Sequence, residues 1–442
     1  MVLFGAQLVS NGMSVAIIGT GHVGLANGVG LAELGHSVIC ADLDKEKIRS
    51  LKQGVSHIYE PGLAELLVKN IAAERLTFTT DTDLAIKASQ VIFVTVGTPS
   101  REDGSADLSQ VEEVTRDIAR LADSFKLVVE KSTVPVKTGD WMKRTLRSFT
   151  GPNGDFEVAS MPEFLREGAA VYDFFHPSRM VIGVETARAE SMLRELFKDI
   201  DAPFLITDMQ SAELIKHASN CFLAMKISYI NAIAQICERV GADVTKVAKG
   251  MGLDPRIGPD FMEAGIGYGG YCFPKDVSAF IKISEELGYD FKILKEVQSI
   301  NQQQRAAIPA KLRKAMSSFD GKTIGVLGLA FKPNTDDIRD APSIELISVL
   351  LHEGAIVRAY DPAAIENTRL FFNEDIQYFN DPYEMVIGCD ALILVTEWPE
   401  FQLLDMARIQ RSLAIPLFVD GRNVFDPSHM RSLGFIYDSV GR

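Results

Sequence analysis

Cys272 is the residue with the clearest chemical potential. It follows the glycine-rich run Gly265-Ile266-Gly267-Tyr268-Gly269-Gly270-Tyr271 and precedes Phe273-Pro274-Lys275-Asp276. Glycine lets a backbone approach a ligand closely. Proline favours the first turn of a helix, so a helix is expected to open at Pro274 and to run through Asp276. Cys272 would then lie beside a helix N-terminus, where the dipole and the Lys275 charge favour a thiolate. The chemistry is covalent attack on an electrophilic carbon; the competing reading is a glycine turn with an ordinary cysteine. Cys40, Cys221, Cys237 and Cys389 are scattered and form no Cys-x-x-Cys pair. That pattern points to a reducing, cytoplasmic setting with no disulfide framework and no metal site.

A second set of residues binds rather than reacts. Gly19-Thr20-Gly21-His22-Val23-Gly24 lies between a short apolar run, 14–18, and a helical pattern that stops at Gly35. The next apolar run ends at Asp42. Strand, glycine turn, helix and acid in this order form the dinucleotide fingerprint, with the pyrophosphate at the helix N-terminus. Asp42 would accept bonds from ribose hydroxyls and repel a 2′-phosphate, favouring NAD; Asp44 is a rival acid. Further apolar runs end in Gly97-Thr98-Pro99, in Lys131-Ser132-Thr133-Val134-Pro135 and in Met161-Pro162-Glu163-Phe164-Leu165-Arg166-Glu167-Gly168. In an open parallel sheet, ligands bind beyond such strand ends. Thr133 is a turn residue or a site residue. Glu163 and Glu167 are either one solvated helix face or two acids beside a reacting carbon.

These residues need elements to position them. Residues 210–240 contain neither proline nor glycine, and apolar residues recur at helical spacing. A single helix of about 45 Å is expected there, of the kind that bridges domains or forms a dimer core. Lys216 and Asn220, four apart, would share one of its faces. Near the end of the chain, residues 321–328 repeat the strand-into-glycine theme, and Asp361 stands where Asp42 stood. The fingerprint is incomplete there, so no second dinucleotide is expected. The fold class is α/β, with two Rossmann-like doubly wound domains joined by a helical segment containing the long helix. The expected divisions are an extension at 1–12, an NAD-binding domain at 13–208, a central helical dimerisation domain at 209–315 and a C-terminal Rossmann-like domain at 316–442. A net charge of −14 argues against a general nucleic-acid affinity, and no apolar run is long enough to span a bilayer.

Taken together, the motifs resemble the UDP-glucose/GDP-mannose dehydrogenase family across residues 13–439. Besides those above, the marks are Tyr59-Glu60-Pro61-Gly62, Glu213-Leu214-Ile215-Lys216 with Asn220, and Phe331-Lys332-Pro333-Asn334-Thr335-Asp336-Asp337-Ile338-Arg339. Phe273-Pro274-Lys275-Asp276 and His176-Pro177-Ser178-Arg179 look like the branch acting on UDP-glucose. The resemblance implies oxidation of UDP-glucose to UDP-glucuronate with two NAD and water, through a thiohemiacetal and a thioester on Cys272. Lys216, Asn220, Asp276, Glu163, Glu167 and Thr133 would assist. It implies cofactor contacts from Gly19, Gly21, His22, Val23, Gly24, Asp42, Lys47, Thr98, Thr133, Glu167, Lys275 and Arg339. Substrate contacts are implied for Phe164, Leu165, Arg166, Glu167, Lys216, Asn220, Arg256, Phe261, Gly265, Gly269, Cys272, Phe331 and Lys332. Arg256 is expected to reach a partner's site in a homodimer built on the long helix. Arg339 and Arg422 are further candidates for phosphate or inter-domain contacts. The rivals are a sibling nucleotide-sugar substrate, a single-step β-hydroxyacid dehydrogenase, which needs no cysteine, and a non-catalytic sensor.

Overall fold

The computed structural model describes residues 12–150 and 155–442; all but Gly12 of the expected extension lies outside them. The chain divides into two compact units, Met1–Ala218 and Ser219–Arg442, and the boundary falls within the helix Met209–Val240. That helix is continuous over 32 residues, as the uninterrupted apolar periodicity required.

The first unit is built on eight strands: β1 Ser14–Ile18, β2 Ser37–Ala41, β3 Leu76–Thr79, β4 Val91–Val94, β5 Lys126–Glu130, β6 Phe156–Ser160, β7 Met180–Gly183 and β8 Phe204–Thr207. Their order is β3-β2-β1-β4-β5-β6-β7-β8. Alternate residues feed a separate core on each face of the sheet: Val15, Ile17, Phe93, Leu127 and Val129 on one, Ala16, Ile18, Ile92, Val94 and Val128 on the other. Each large side chain fully buried this way stabilises by about 1.5–3 kcal/mol, which is why these strands read as continuous apolar runs. The sheet is not wholly parallel. β7 meets β6 antiparallel, through Ser160 and Gly183, and β8 then runs parallel to β7. β3 is a strand that no apolar run announces.

The second unit carries β9 Thr323–Leu327, β10 Ile356–Tyr360, β11 Gln377–Tyr378, β12 Ala391–Leu394, β13 Leu417–Asp420 and β14 Ile436–Ser439. Their order, β11-β10-β9-β12-β13-β14, repeats that of β3-β2-β1-β4-β5-β6. The helices Val244–Gly252, Cys272–Glu286 and Lys292–Ala315 belong to this unit. The helix expected to open at Pro274 opens two residues earlier, at Cys272. Proline lacks an N–H that the first turn does not use, so it fits inside that turn as well as ahead of it.

Candidate active site

In the first unit, strand order reverses between β1 and β4, the position where such sheets bind ligands. β1 leads into Gly19 at φ +99°, where an added Cβ would fall 2.8 Å from the Thr95 carbonyl oxygen. Only glycine takes this turn without strain. The helix His22–Glu33 follows, with Gly21 at its N-cap and no side chain capping it. A Cβ at Gly21 would meet nothing within 4 Å. An uncapped helix start facing open space suits a pyrophosphate.

Asp42 lies at the end of β2. Its Oδ2 accepts from the Thr20 N–H at 2.9 Å, the Thr20 hydroxyl at 2.7 Å and Lys47 Nζ at 3.0 Å, and its Oδ1 accepts from the Asp44 N–H at 3.0 Å. Burial alone would raise this carboxyl, but the bonds from Thr20, Asp44 and Lys47 outweigh it and hold it at about 2. Asp42 is therefore a fixed anion with acceptor capacity left on Oδ1. The rival Asp44 instead caps the helix Lys45–Lys52, accepting from Glu46 and Lys47. Thr98 Oγ1 donates to the Thr133 carbonyl at 2.9 Å, which joins two expected cofactor positions. These residues fit NAD.

The same unit holds a buried ion pair, Lys216 Nζ to Glu163 Oε1 at 2.8 Å, with side chains 5% and 6% exposed. Glu163 Oε2 accepts from the Leu165 N–H at 2.6 Å. No helix forms over 161–166 and Glu163 is buried, which removes the solvated-face reading for that residue. Two cations approach the Phe164 ring, Arg179 at 3.8 Å and Lys216 at 5.5 Å from its centre. The side chain of Arg166 is committed to Asp173, by two bonds of 2.9 and 2.6 Å. Glu60 accepts from the N–H groups of Gly168 and Ala170 and so fixes the loop that carries Glu167.

Sequence reasoning missed Lys131. It is buried, and burial pushes its amine down to about 8; Glu163 opposes this and Lys216 adds to it. Two lysines thus compete for one carboxylate. The available signal was a Glu130-Lys131 pair directly after the apolar run Leu127-Val128-Val129, read only as part of a turn motif.

In the second unit, Cys272 is the first residue of its helix and is half-buried, whereas the other four cysteines are buried. Burial raises Cys221 to about 12 and Cys389 to about 11. One turn beyond Cys272, the buried Asp276 accepts from Asn220 Nδ2 at 2.6 Å on Oδ2 and from Lys275 Nζ at 2.6 Å on Oδ1. Asn220 and Lys216 are one turn apart on the long helix.

The glycines before Cys272 were expected to make room for a ligand. In the structure the chain's own segments come close to them. A Cβ at Gly269 would lie 2.3 Å from the Asp340 carbonyl oxygen, and one at Gly270, where φ is +82°, 2.6 Å from the Phe331 ring. The Gly265 N–H donates to Asn231 and its carbonyl accepts from Gln304. Close approach thus brings Phe331 against the cysteine loop. The Arg339 guanidinium sits 4.2 Å over the Tyr271 ring while paired with Asp337, and Lys332 lies 5.4 Å from the Phe331 ring centre. Arg422 donates to the carbonyls of Val395, Gly267 and Phe331. Arg305, also missed, holds the Tyr268 and Asp340 carbonyls from the helix Lys292–Ala315; a lone arginine in a helical pattern gives no sign of this. Arg256 is exposed and paired with Asp254. Phe261 has φ +62° and packs 6.2 Å from Phe273.

A Rossmann-like sheet with an uncapped glycine turn and a fixed acid, in a chain with a second Rossmann-like sheet and a long helix, defines an NAD-dependent dehydrogenase. The comparisons give the family. Residues 13–201 match the UDP-glucose/GDP-mannose dehydrogenase family, NAD binding domain, 210–303 its central domain and 325–427 its UDP binding domain. The chain belongs to this family. It is 47% identical over 428 residues to UDP-glucose 6-dehydrogenase TuaD of Bacillus subtilis, covering 97% of this chain and 93% of that protein. It is 46% identical to the UDP-glucose 6-dehydrogenase of Rhizobium meliloti, covering 97% and 100%. Among solved structures, a UDP-glucose dehydrogenase from Pyrobaculum islandicum superposes with a TM-score of 0.91 at 39% identity, covering 98% of each chain. No helix among the described residues is long and apolar enough to cross a membrane.

Proposed function

We propose that this enzyme oxidises UDP-glucose to UDP-glucuronate, consuming two NAD and one water through covalent intermediates on Cys272. The observation that carries the covalent step is that Cys272 alone of the five cysteines is not buried, and opens a helix one turn before the Asn220–Asp276–Lys275 cluster. The Gly19–Gly24 turn and Asp42 would hold NAD at the β1–β4 switch point, where it would supply the hydride acceptor for each of two oxidations of the sugar's C6. In the first, the C6 hydroxyl loses its proton as the C–H bond breaks, giving an aldehyde. Asp276, Lys216 and Thr133 are the groups available to hold a water or take that proton. The Cys272 thiolate then adds to the aldehyde carbon to form a thiohemiacetal. Loss of its C–H hydride together with its O–H proton, which passes to the same acid–base groups, leaves a thioester. Water attacks the thioester carbonyl, the C–S bond breaks and the thiolate returns. Glu163 or Glu167 orients or deprotonates this water, and Lys216 with Asn220 stabilises the oxyanion.

Phe164 to Glu167, Phe331 and Lys332 hold the nucleotide sugar in this reading, within the functional division 13–208, 209–315 and 316–442. A homodimer on the long helix accounts for an exposed apolar stripe at Phe222, Tyr229 and Ile236, seven residues apart, that continues to Val240. In that dimer Arg256 would reach the partner's site. Five free thiols agree with a cytoplasmic enzyme. Counting NADH over a panel of nucleotide sugars tests the reading. Two NADH per UDP-glucose is expected; no turnover of UDP-glucose, or one NADH per sugar, would overturn it.

A further inference from the structure

Beneath Lys216 lies a pair of carboxyl groups that the reaction does not use. Glu213, one turn before Lys216, accepts from the Lys137 N–H at 2.5 Å and from the Gly139 N–H at 2.7 Å. It therefore caps the start of the helix Thr138–Phe149, which has no side-chain cap of its own. Two neighbours on the long helix grip the same segment: Gln210 donates to Asp140 at 2.6 Å, and His217 Nε2 donates to the Val134 carbonyl at 2.7 Å. The loop so gripped, 131–137, contains Thr133.

Glu130, at the end of β5, is 2% exposed; the polar groups beside its carboxyl are the Ser160 hydroxyl and Glu213, neither in full hydrogen-bond geometry. It makes no ion pair among the described residues. It faces Glu213 across Gly139, where an added Cβ would lie 3.3 Å from Glu213 Oε1 and 3.5 Å from Glu130 Oε2. The charged or titratable groups packed around the pair are Asp140 and His217; Ser160 contributes a hydroxyl from β6, and the Lys131 charge is turned toward Glu163 and Lys216. A buried carboxyl with no cation keeps its proton.

We propose that Glu130 is a neutral acid that shares its proton with Glu213, and that the pair is a clamp positioning Lys216 and the Thr133 loop. This rests on the catalytic reading of Lys216 given above. Burial, then the Glu213 charge, push the Glu130 carboxyl well above the usual range; Glu213 is also raised by burial, against the two N–H bonds it accepts. Such a group stabilises the fold most below its unfolded pKa, and that stability is lost as pH rises toward the raised value.

The test compares wild type, Glu130→Gln and Glu213→Gln as full-length enzymes. Glu130→Gln fixes the neutral form. Its kcat at neutral pH should stay within about twofold of wild type, an exchange of one hydrogen-bonding neutral group for another. Its thermal midpoint should exceed that of wild type by an increment that grows from about pH 5 to pH 8, following the linkage sign. Glu213→Gln should lower kcat up to about a hundredfold through misplacement of Lys216 and the Thr133 loop, with a much smaller change in KM for NAD. A midpoint difference for Glu130→Gln that is constant or reversed with pH overturns the shared proton, even if Glu213→Gln does not fold. Wild-type kcat in Glu213→Gln overturns the clamp. Absence of wild-type turnover would instead overturn the function proposed above.

Discussion

Replacing Glu163 by glutamine separates oxidation from hydrolysis. At 2.8 Å from Lys216 the pair attracts by about 6 kcal/mol at an effective dielectric of 20. Breaking a buried pair typically costs about 3–5 kcal/mol, since one charge stays behind without its partner. Two features place this variant at the low end. Glutamine keeps an acceptor for Lys216, at the cost of setting its amide N–H₂ against the Leu165 N–H that Glu163 Oε2 now accepts. Lys131, already lowered to about 8 by burial, can shed its proton once the shared carboxylate is gone. Glu163 holds Lys131 up, so in the variant Lys131 deprotonates below about pH 8; the destabilisation is therefore greatest at acid pH and has relaxed by about pH 8. Hydrolysis, by contrast, loses a general base, about a 10²–10⁴-fold effect. Stopped-flow detection of NADH should show a burst of two NADH per active site and then a slow phase, and the intact mass of quenched enzyme should reveal an acyl adduct on Cys272. NAD affinity, measured on the same sample, should match wild type and show that the fold survives. Multiple turnover at the wild-type rate would refute the assignment of Glu163 to hydrolysis. A burst of one NADH would move its role to the second oxidation.

Cys272→Ser should abolish net acid formation while NAD still binds, because the four buried cysteines cannot replace the half-buried thiol; product analysis against an NAD titration checks both. Asp42→Ala should weaken NAD binding by about 1.5–3 kcal/mol, the value of hydrogen bonds to a charged group, and narrow the preference over NADP; an unchanged ratio of affinities would remove Asp42 from ribose recognition. Lys131→Met should raise stability at pH 7, where the amine is still charged despite its burial, and the gain should shrink between about pH 8 and 10.5 as wild type deprotonates. A gain independent of pH would show that Lys131 is not the titrating group.

Much of the fold was legible because the central strands are buried on both faces and so lack polar interruption. β3, β11 and β14 were not legible, since they lie at sheet edges and alternate in burial. The reversal at β7 has no local signature, since strand direction depends on pairing. The individual site residues stood out, but their partners did not. Glu163 and Lys216 are 53 positions apart, and Asn220 and Asp276 are 56 apart. The glycine run shows the limit of local reasoning. It announced close approach, but whether ligand or chain approaches is decided by the distant Asp340 and Phe331.

The repeated sheet shows why equivalent positions need not do equivalent chemistry. Gly328 has φ +95° and leads out of β9 as Gly19, at φ +99°, leads out of β1. Asp361 follows β10 as Asp42 follows β2. Yet Asp361 accepts on Oδ2 from the Leu329 and Ala330 N–H groups and Trp398 Nε1, and on Oδ1 from the Ala363 and Ala364 N–H groups. Five donors exceed the roughly four lone-pair directions of a carboxylate, so its acceptor capacity is consumed internally. The difference traces to the residue two positions on. In the first unit Asp44 accepts the N–H groups that open the next helix, relieving Asp42 of that task. In the second, Ala363 stands in that place and can accept nothing, so Asp361 takes the turn's N–H groups itself. One side chain two residues beyond the acid thus sets how much of a Rossmann-like strand-end carboxylate is left after its own backbone has been served.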